Sequence, residues 1–138
     1  MDKYIIDGGE KLYGKVEVQR AKNTVLPLLA ASVLTDEQVK IRGVPTITDV
    51  ENMLRILSEV GCKIRRQKDC AVIDSSNAVS HEIPQRLTKE LRSSVFMLGS
   101  VLTRFQKAKI SYPGGCDIGL RPIDLHLSGL QRLGVKIV

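Results

Sequence analysis

A cysteine in a glycine-rich loop is the residue of this sequence best suited to covalent or proton-transfer chemistry. Cys116 lies within the stretch SYPGGCDIGLRP, in which neither a helical nor a strand periodicity is present. Glycines on both sides allow the backbone to bend over a ligand. A cation such as Arg121 near the thiol would favour a proton donor or a nucleophile, whereas Asp117 would act in the opposite direction. We therefore predict that Cys116 is exposed and reactive.

Arg121 also stands where a helix is predicted to begin. Pro122 suits the first helical position, and Ile123, Asp124 and Leu125 follow, so free backbone N–H groups would point back at the loop. Such a helix start attracts anions, and an arginine beside it can bind phosphate through two hydrogen bonds. An ordinary helix start explains Pro122 and Asp124 equally well. The combination of Arg121 with a glycine-flanked thiol favours a phosphorylated ligand.

Two further cations lie where predicted helices begin. Lys22 and Asn23 stand before an apolar segment that contains Pro27 near its start, and Arg92 opens the equivalent segment further along the chain. A lysine at a helix N-terminus is disfavoured by the helix dipole, so its presence suggests an anion that offsets it. A solvated terminal residue is the simpler alternative for each cation alone. Together, Lys22, Arg92 and Arg121 predict an anion site on one side of a repeated scaffold.

The scaffold is an internal repeat. The segments LPLLAASVLT and SVFMLGSVLT are both apolar and end in the same four letters, and each precedes an alternating segment, VKIRG or AKISY, that is predicted as a strand. A second amphipathic helix follows in each copy and is predicted to stop at Gly61 or Gly134, with another strand after each glycine. Thr48 and Glu51 predict a capping box. The second copy has gained its extra residues in the cysteine loop.

Composition limits the possible classes of protein. A chain of 138 residues, 43% of them hydrophobic, can bury the core of about one domain. Aromatic residues make up 4% and Trp is absent, so stacking platforms for single-stranded nucleic acid are scarce and nucleic-acid binding is disfavoured. The net charge of +6 is spread along the chain, mostly on what we expect to be solvated faces, and the remainder suits an anionic partner.

Cysteine and histidine usage argues against a metal site or a disulfide framework. Cys62, Cys70 and Cys116 are an odd number without a CxxC spacing, and Cys62 and Cys70 are predicted to be small core residues because strand-like apolar residues flank them. His81 and His126 are isolated. The first residues do not match a signal sequence, and no apolar run approaches membrane-spanning length. We expect a soluble, cytoplasmic protein that uses no metal and no membrane.

Three stretches resemble a known family: GGEKLYGKVEV…AKNTVLPLLAASVLT, LRSSVFMLGSVLTRF and PGGCDIGLRPIDLHLSGLQRLGVKI. They closely resemble the opening third of the enolpyruvyl transferase family, in the branch that acts on UDP-N-acetylglucosamine and begins peptidoglycan synthesis. The resemblance implies an α/β (α+β) fold in which repeated βαβ-type units form an inside-out α/β barrel, here incomplete. It assigns residues 1–20 to N-terminal strands of a second domain and residues 21–138 to a partial first domain, with repeat copies at about 22–74 and 88–138.

The resemblance also implies a reaction and its residues. The 3′-hydroxyl of UDP-N-acetylglucosamine adds to C2 of phosphoenolpyruvate, C3 is protonated, and phosphate leaves, with no cofactor. Cys116 matches the general acid, which is also the thiol that fosfomycin alkylates. The residues that match phosphoenolpyruvate ligands are Lys22, Asn23 and Arg121. The residues that match ligands of the sugar nucleotide are Asn23, Arg92, Arg121, Pro122, Ile123, Asp124 and Leu125.

Two departures from the family pattern bear on activity. Gln19 and Arg20 stand where family members usually have Ser-Gly, and family chains are about three times as long as this one. In the family, the part of the chain beyond this region supplies the carboxylate that deprotonates the sugar hydroxyl. We therefore expect these 138 residues alone to form no product. The alternative is a truncated, non-catalytic module that binds nucleotide or self-associates.

Overall fold

The computed structural model describes residues 3–18, 20–114 and 122–138. In this part the helices are α1 (Lys22–Ala31), α2 (Thr48–Val60), α3 (Gln85–Glu90), α4 (Phe96–Phe105) and α5 (Asp124–Arg132), and the strands are β1 (Gln38–Arg42), β2 (Lys63–Gln67) and β3 (Cys70–Asp74). Short 3₁₀ turns at Ser32–Leu34 and Arg92–Val95 follow α1 and precede α4.

Helix α2 is strongly amphipathic and lies at the centre of the core. Its buried apolar side chains recur at the spacing of one helical face, and they are Val50, Met53, Leu54, Ile56, Leu57 and Val60. This face packs against α1, β2 and α3. Full burial of one such side chain contributes about 1.5–3 kcal/mol, so α2 supplies much of the hydrophobic stabilisation of the described part.

The capping box predicted at the start of α2 is wrong. Ile47 precedes the helix without a side-chain cap, and Thr48 is already helical. Glu51 instead forms an ion pair with Arg66 of β2, and the Arg66 guanidinium also donates to the Pro45 carbonyl oxygen at 2.9 Å. The carboxylate that would have completed the cap is therefore engaged by the sheet, and Arg66 fixes the loop before α2.

The helix stop predicted at Gly61 is confirmed. Gly61 has a φ of 107°, its N–H donates to the Ser58 carbonyl at 3.0 Å, and the Cys62 N–H donates to the Leu57 carbonyl at 3.0 Å. This pattern is the Schellman motif. A Cβ at Gly61 would lie 2.9 Å from the Asn77 carbonyl oxygen. Both the left-handed backbone and the lack of space therefore require glycine.

The strands form an antiparallel sheet in the order β1–β3–β2, and the strands predicted over VKIRG and after Gly61 are confirmed as β1 and β2. The register pairs Ile41 with Ala71, and Ile64 with Ile73. These side chains belong to the same core as α1 and α2, and the residues that alternate with them face solvent.

The second copy departs from the predicted pattern. Residues 108–112, predicted as a strand, contribute a single parallel bridge between Lys109 and Glu82, and residues 135–138 form no strand, although Gly134 has the expected left-handed φ of 92°. In the first copy, β1 and β2 each pair with the central strand β3. The described residues of the second copy include no counterpart of β3, so these segments lack the strand that would satisfy their backbone groups.

Arg104, in the last turn of α4, joins the two copies. Its guanidinium donates to the carbonyl oxygens of Val33 at 2.9 Å, Thr35 at 3.1 Å and Ser75 at 3.0 Å, and it forms an ion pair with Asp36. The Arg104 side chain is only 15% exposed. A single side chain therefore satisfies carbonyl groups that follow both α1 and β3.

Two segments leave apolar side chains unburied. Helix α5 has no buried residue, and its Leu125 is 88% exposed. Residues 3–18 form no helix or strand, and their exposed large apolar side chains are Tyr4, Ile5, Ile6, Leu12, Tyr13, Val16 and Val18. The assignment of residues 1–20 to strands of a second domain stays a prediction.

We predict that Gly61→Ala lowers the free energy of unfolding by about 1–3 kcal/mol, because alanine would be forced into a left-handed conformation against the backbone at Asn77. Urea denaturation followed by circular dichroism measures the change. Gly99→Ala is the matched control, since a Cβ there meets nothing within 4 Å and alanine in a helix gains about 0.5–1 kcal/mol. Equal stability of Gly61→Ala and the parent chain would contradict the proposed role of this turn.

Candidate functional site

The start of the cysteine loop is held firmly against α3. The Gly114 N–H donates to the Thr88 carbonyl oxygen at 2.9 Å, and a Cβ at Gly114 would collide with the backbone of Lys89. Glycine is therefore required at this point for close approach of two backbone segments. Cys116 and Arg121 lie outside the described residues, so their roles stay predictions.

Lys22 is the first residue of α1, as predicted, and it reaches a second helix start. Its ammonium nitrogen Nζ lies 2.7 Å from Oδ2 of Asp49, in the first turn of α2, and the two side chains are 48% and 34% exposed. Asn23 follows on α1 and is exposed. Sequence reasoning missed Asp49. An acidic residue in a first turn suggests only a favourable interaction with the helix dipole, and the contact with Lys22 depends on how α1 packs against α2.

Arg92 is exposed at the beginning of the 3₁₀ turn that leads into α4, so it precedes the helix by one turn. Two residues later, the Ser94 hydroxyl is fully buried and has no hydrogen-bond partner among the described residues. A buried hydroxyl without a partner costs about 1–3 kcal/mol. The segment before α4 therefore holds an unsatisfied buried hydroxyl two residues after the exposed Arg92.

The predicted nucleotide-binding run begins at the entrance of α5. Pro122 is exposed, Ile123 is the half-buried residue before the helix, Asp124 is its first residue, and Leu125 is exposed. Within the described ranges, no hydrogen bond or ion pair joins these residues to Lys22, Asn23 or Arg92. In the described part, the entrance of α5 is thus not linked to the cations near α1 and α4. The assembly of these helix entrances into one anion site stays a prediction.

Arg20 replaces a small residue of the family pattern without adopting a strained backbone. In the described part, positive φ angles at non-glycine residues are confined to Lys68 and Gln106. The Arg20 side chain lies against Gly43, at the edge of a shallow pocket of about 290 Å³ that Lys68 and Asp69 also line. The large side chain is thus accommodated beside the loop that follows β1. Gln19 lies outside the described residues.

The two described cysteines differ in environment. Cys62 is buried, as predicted, and burial raises the pKa of its thiol more than the hydrogen bond with Ser75 and the charge of Arg104 lower it. The prediction that Cys70 is a core residue is wrong, because its register between Arg42 and Gln67 places it half-buried on the solvent side of the sheet. Cys62 therefore lacks the setting of an activated nucleophile.

Comparison with known sequences identifies close relatives. The sequence pattern of the EPSP synthase (3-phosphoshikimate 1-carboxyvinyltransferase) family matches residues 6–138. A protein of Caldanaerobacter subterraneus subsp. tengcongensis named UDP-N-acetylglucosamine 1-carboxyvinyltransferase 2 is 48% identical over 99% of this chain and 33% of its own length. A UDP-N-acetylglucosamine 1-carboxyvinyltransferase of Buchnera aphidicola subsp. Schizaphis graminum is 44% identical over 100% of this chain and 33% of its own length. The chain thus spans about a third of the length of these curated relatives.

A solved structure of an enolpyruvyl transferase is similar in fold. The enolpyruvyl transferase NikO from Streptomyces tendae is similar to 70% of this chain and 23% of its own, with a TM-score of 0.65 and 22% sequence identity. The predicted fold class is confirmed by this likeness, because the described part superposes on a portion of the inside-out α/β barrel. Since the family pattern extends over residues 6–138, this chain belongs to the EPSP synthase family of enolpyruvyl transferases.

Proposed function

We propose that this chain takes part in transferring the enolpyruvyl group of phosphoenolpyruvate to the 3′-hydroxyl of UDP-N-acetylglucosamine, with release of phosphate. The observation that carries this proposal is the 48% identity to a relative named for that reaction, combined with a glycine-flanked thiol followed by Arg121 in the sequence. The reaction would supply a precursor for peptidoglycan. Its two substrates are both anionic, which fits the cations that the sequence predicts at three helix entrances.

The reaction assigns a role to the thiol of Cys116. The sugar hydroxyl oxygen bonds to C2 of phosphoenolpyruvate while a base takes the hydroxyl proton, and Cys116 gives its proton to C3. In the second stage a proton leaves C3, the bond between C2 and the phosphate oxygen breaks, and the double bond is restored. The thiolate formed in the first stage is proposed to recover that proton. Docking of Gly114 on α3 supports this proposal by fixing where the loop starts.

Lys22 is proposed to bind the phosphate of phosphoenolpyruvate, with Asn23 beside it. In the free protein its charge is held by Asp49 at 2.7 Å, and because both groups are partly exposed, this ion pair contributes no more than about 1 kcal/mol. A charge-assisted hydrogen bond to phosphate contributes about 1.5–3 kcal/mol. Phosphate therefore competes successfully for Lys22, and Asp49 acts as a positioning residue that keeps the ammonium group near the two helix starts.

The sugar nucleotide is proposed to bind at the remaining helix entrances. Arg92 is exposed before α4, and the exposed start of α5 offers free N–H groups after Arg121. The place of action is proposed to be the cytoplasm, where both substrates would be available. No helix in the described part of the chain is long and apolar enough to cross a membrane.

A second candidate is a non-catalytic module that binds nucleotide or self-associates. The observation that favours it is the apolar surface of residues 3–18 and of α5 with the residue after it, where Leu125 and Leu133 are more than four-fifths exposed. Exposed apolar surface of this kind is covered in most proteins by a neighbouring domain or another molecule.

We predict that fosfomycin modifies Cys116 well ahead of Cys70, and Cys70 ahead of Cys62, because Cys62 is buried and its pKa is raised. Peptide mapping by mass spectrometry identifies the modified thiol, and a maleimide provides the comparison if the drug does not bind. Gly114→Ala should slow the modification of Cys116 several-fold, whereas Gly99→Ala, in open space, should not. Preferential modification of Cys62 would contradict the assignment of the reactive thiol.

Replacing Arg121 with Ala should weaken binding of UDP-N-acetylglucosamine by about 1.5–3 kcal/mol, because a charge-assisted hydrogen bond is lost. Isothermal titration calorimetry measures the dissociation constant. Arg121→Lys should recover only part of the affinity, since an ammonium group cannot make the two-pronged contact. Arg132→Ala removes a similar charge from the far end of α5 and is the control. An unchanged dissociation constant for Arg121→Ala counts against the proposed site.

The 138 residues alone should not release phosphate from the two substrates, because the proposed mechanism requires a base for the sugar hydroxyl and the chain spans about a third of its relatives. A coupled phosphate assay with the purified chain measures this. A turnover number near the enzyme median of about 10 s⁻¹ would show that this chain provides the base itself. Nucleotide binding without turnover is the expected result.

A further inference from the structure

The solvent side of the three-stranded sheet carries a dense set of cations. Side chains alternate along each strand, so the exposed Lys40 and Arg42 of β1 point to one side of the sheet. The exposed Lys63 and Arg65 of β2 point to the same side. Lys68, in the turn that follows β2, is also exposed. We call these five residues the basic sheet face.

The register gives this face its geometry. Lys40 and Arg65 are both paired with Val72 of the central strand, so a cation stands on each side of one half-buried apolar residue. Neighbouring strands lie about 4.8 Å apart, which puts the two backbone positions roughly 10 Å from each other. The face is therefore a shallow channel with two cationic sides.

Within the described part of the chain, no cation of the basic sheet face forms an ion pair with N···O of 4.0 Å or less. The ion pairs found there engage other basic residues, which are Lys22, Arg66, Arg86, Arg104 and Lys109. Asp74, which lies on the same side of the sheet, accepts hydrogen bonds from the Ser76 hydroxyl at 2.6 Å and from its N–H at 3.1 Å. With Asp69 in the turn, two carboxylates face five cations.

A cavity of about 700 Å³ follows this channel. Lys40, Arg65 and Lys68 line its sides, and Val72 and Cys70 form part of its floor. Gln38 and Gln67 add carboxamide groups that can donate hydrogen bonds to carboxylates. The lining thus offers positive charge at the sides and apolar contact between them.

We propose that the basic sheet face docks an acidic, extended protein segment in which carboxylate and apolar residues alternate. Side chains two residues apart on an extended chain are separated by roughly 6.5 Å, which is also the separation of Lys40 and Arg42 on β1. Alternate side chains of such a segment point to opposite faces, so its carboxylates lie together on the face that meets the cations, and their methylene groups contact Val72. This inference does not depend on the proposed transfer reaction.

The other polyanions fit the face less well. Its described residues include no aromatic side chain, so single-stranded nucleic acid finds no surface on which bases could stack. They also include no Leu, Phe or Trp that could insert among lipid chains, as interfacial binding requires. A floor of Val72 and Cys70 matches the short methylene stems of acidic side chains.

Fluorescence anisotropy with a fluorescein-labelled peptide of alternating Glu and Val residues tests the proposal on the full chain. We expect saturable binding that weakens about tenfold in the double variant Lys40→Gln/Arg65→Gln. The control Lys107→Gln/Lys136→Gln removes the same charge from exposed positions outside the face and should leave the affinity unchanged. Equal loss in both double variants would show attraction to net charge alone and overturn the proposal.

A second double variant and two other anionic probes complete the test. Arg42→Gln/Lys63→Gln repeats the test with other members of the face, and circular dichroism verifies that each variant is folded. Oligo-dT and vesicles of phosphatidylglycerol with phosphatidylcholine are measured in parallel. Tighter, face-dependent binding of either probe overturns the assignment to a protein partner, as does the absence of peptide binding up to about 1 mM.

Discussion

The burial of α2 against α1 and the sheet is the constraint on which the rest of the described structure depends. Because one face of α2 is apolar along its whole length, the helix can lie in only one orientation, and both of its ends are then fixed. Its first turn brings Asp49 to Lys22 and Glu51 to Arg66, while its last turn ends at Gly61 and leads directly into β2. The polar contacts follow from hydrophobic packing, since exposed ion pairs of this kind are individually weak.

The same packing separates two kinds of charged surface. Helices α1, α2 and α4 share one core with the inner side of the sheet, and Lys22 and Arg92 stand exposed at the beginning of α1 and before α4. The outer side of the sheet is left to solvent and carries cations on its strands. An anion near a helix start gains from the free N–H groups, whereas an anion on the sheet meets side chains alone. Small phosphorylated ligands suit the first surface, and an extended partner suits the second.

Local features of the first repeat could be predicted from the sequence because each depends on a few neighbouring residues. The glycine stop at Gly61, the strands β1 and β2 and the position of Lys22 at the start of α1 are of this kind. Predictions that depended on distant partners were less successful. The capping box was wrong because Arg66, fifteen positions away along the chain, engages Glu51, and the strand at residues 108–112 was wrong because a strand exists only where another pairs with it.

Asp49 and Gly114 show why the candidate site could be predicted only in part. The type of chemistry follows from residue types, and a thiol between glycines or a cation before a helix is visible in the sequence. The groups that hold those residues in place are not, because Asp49 meets Lys22 and Gly114 meets Thr88 across 27 and 26 positions of the chain. A glycine required by close approach to another backbone is indistinguishable, in sequence, from one required by a turn. Positioning residues therefore emerge only when the helices have been packed, although they decide whether the reactive residues can act together.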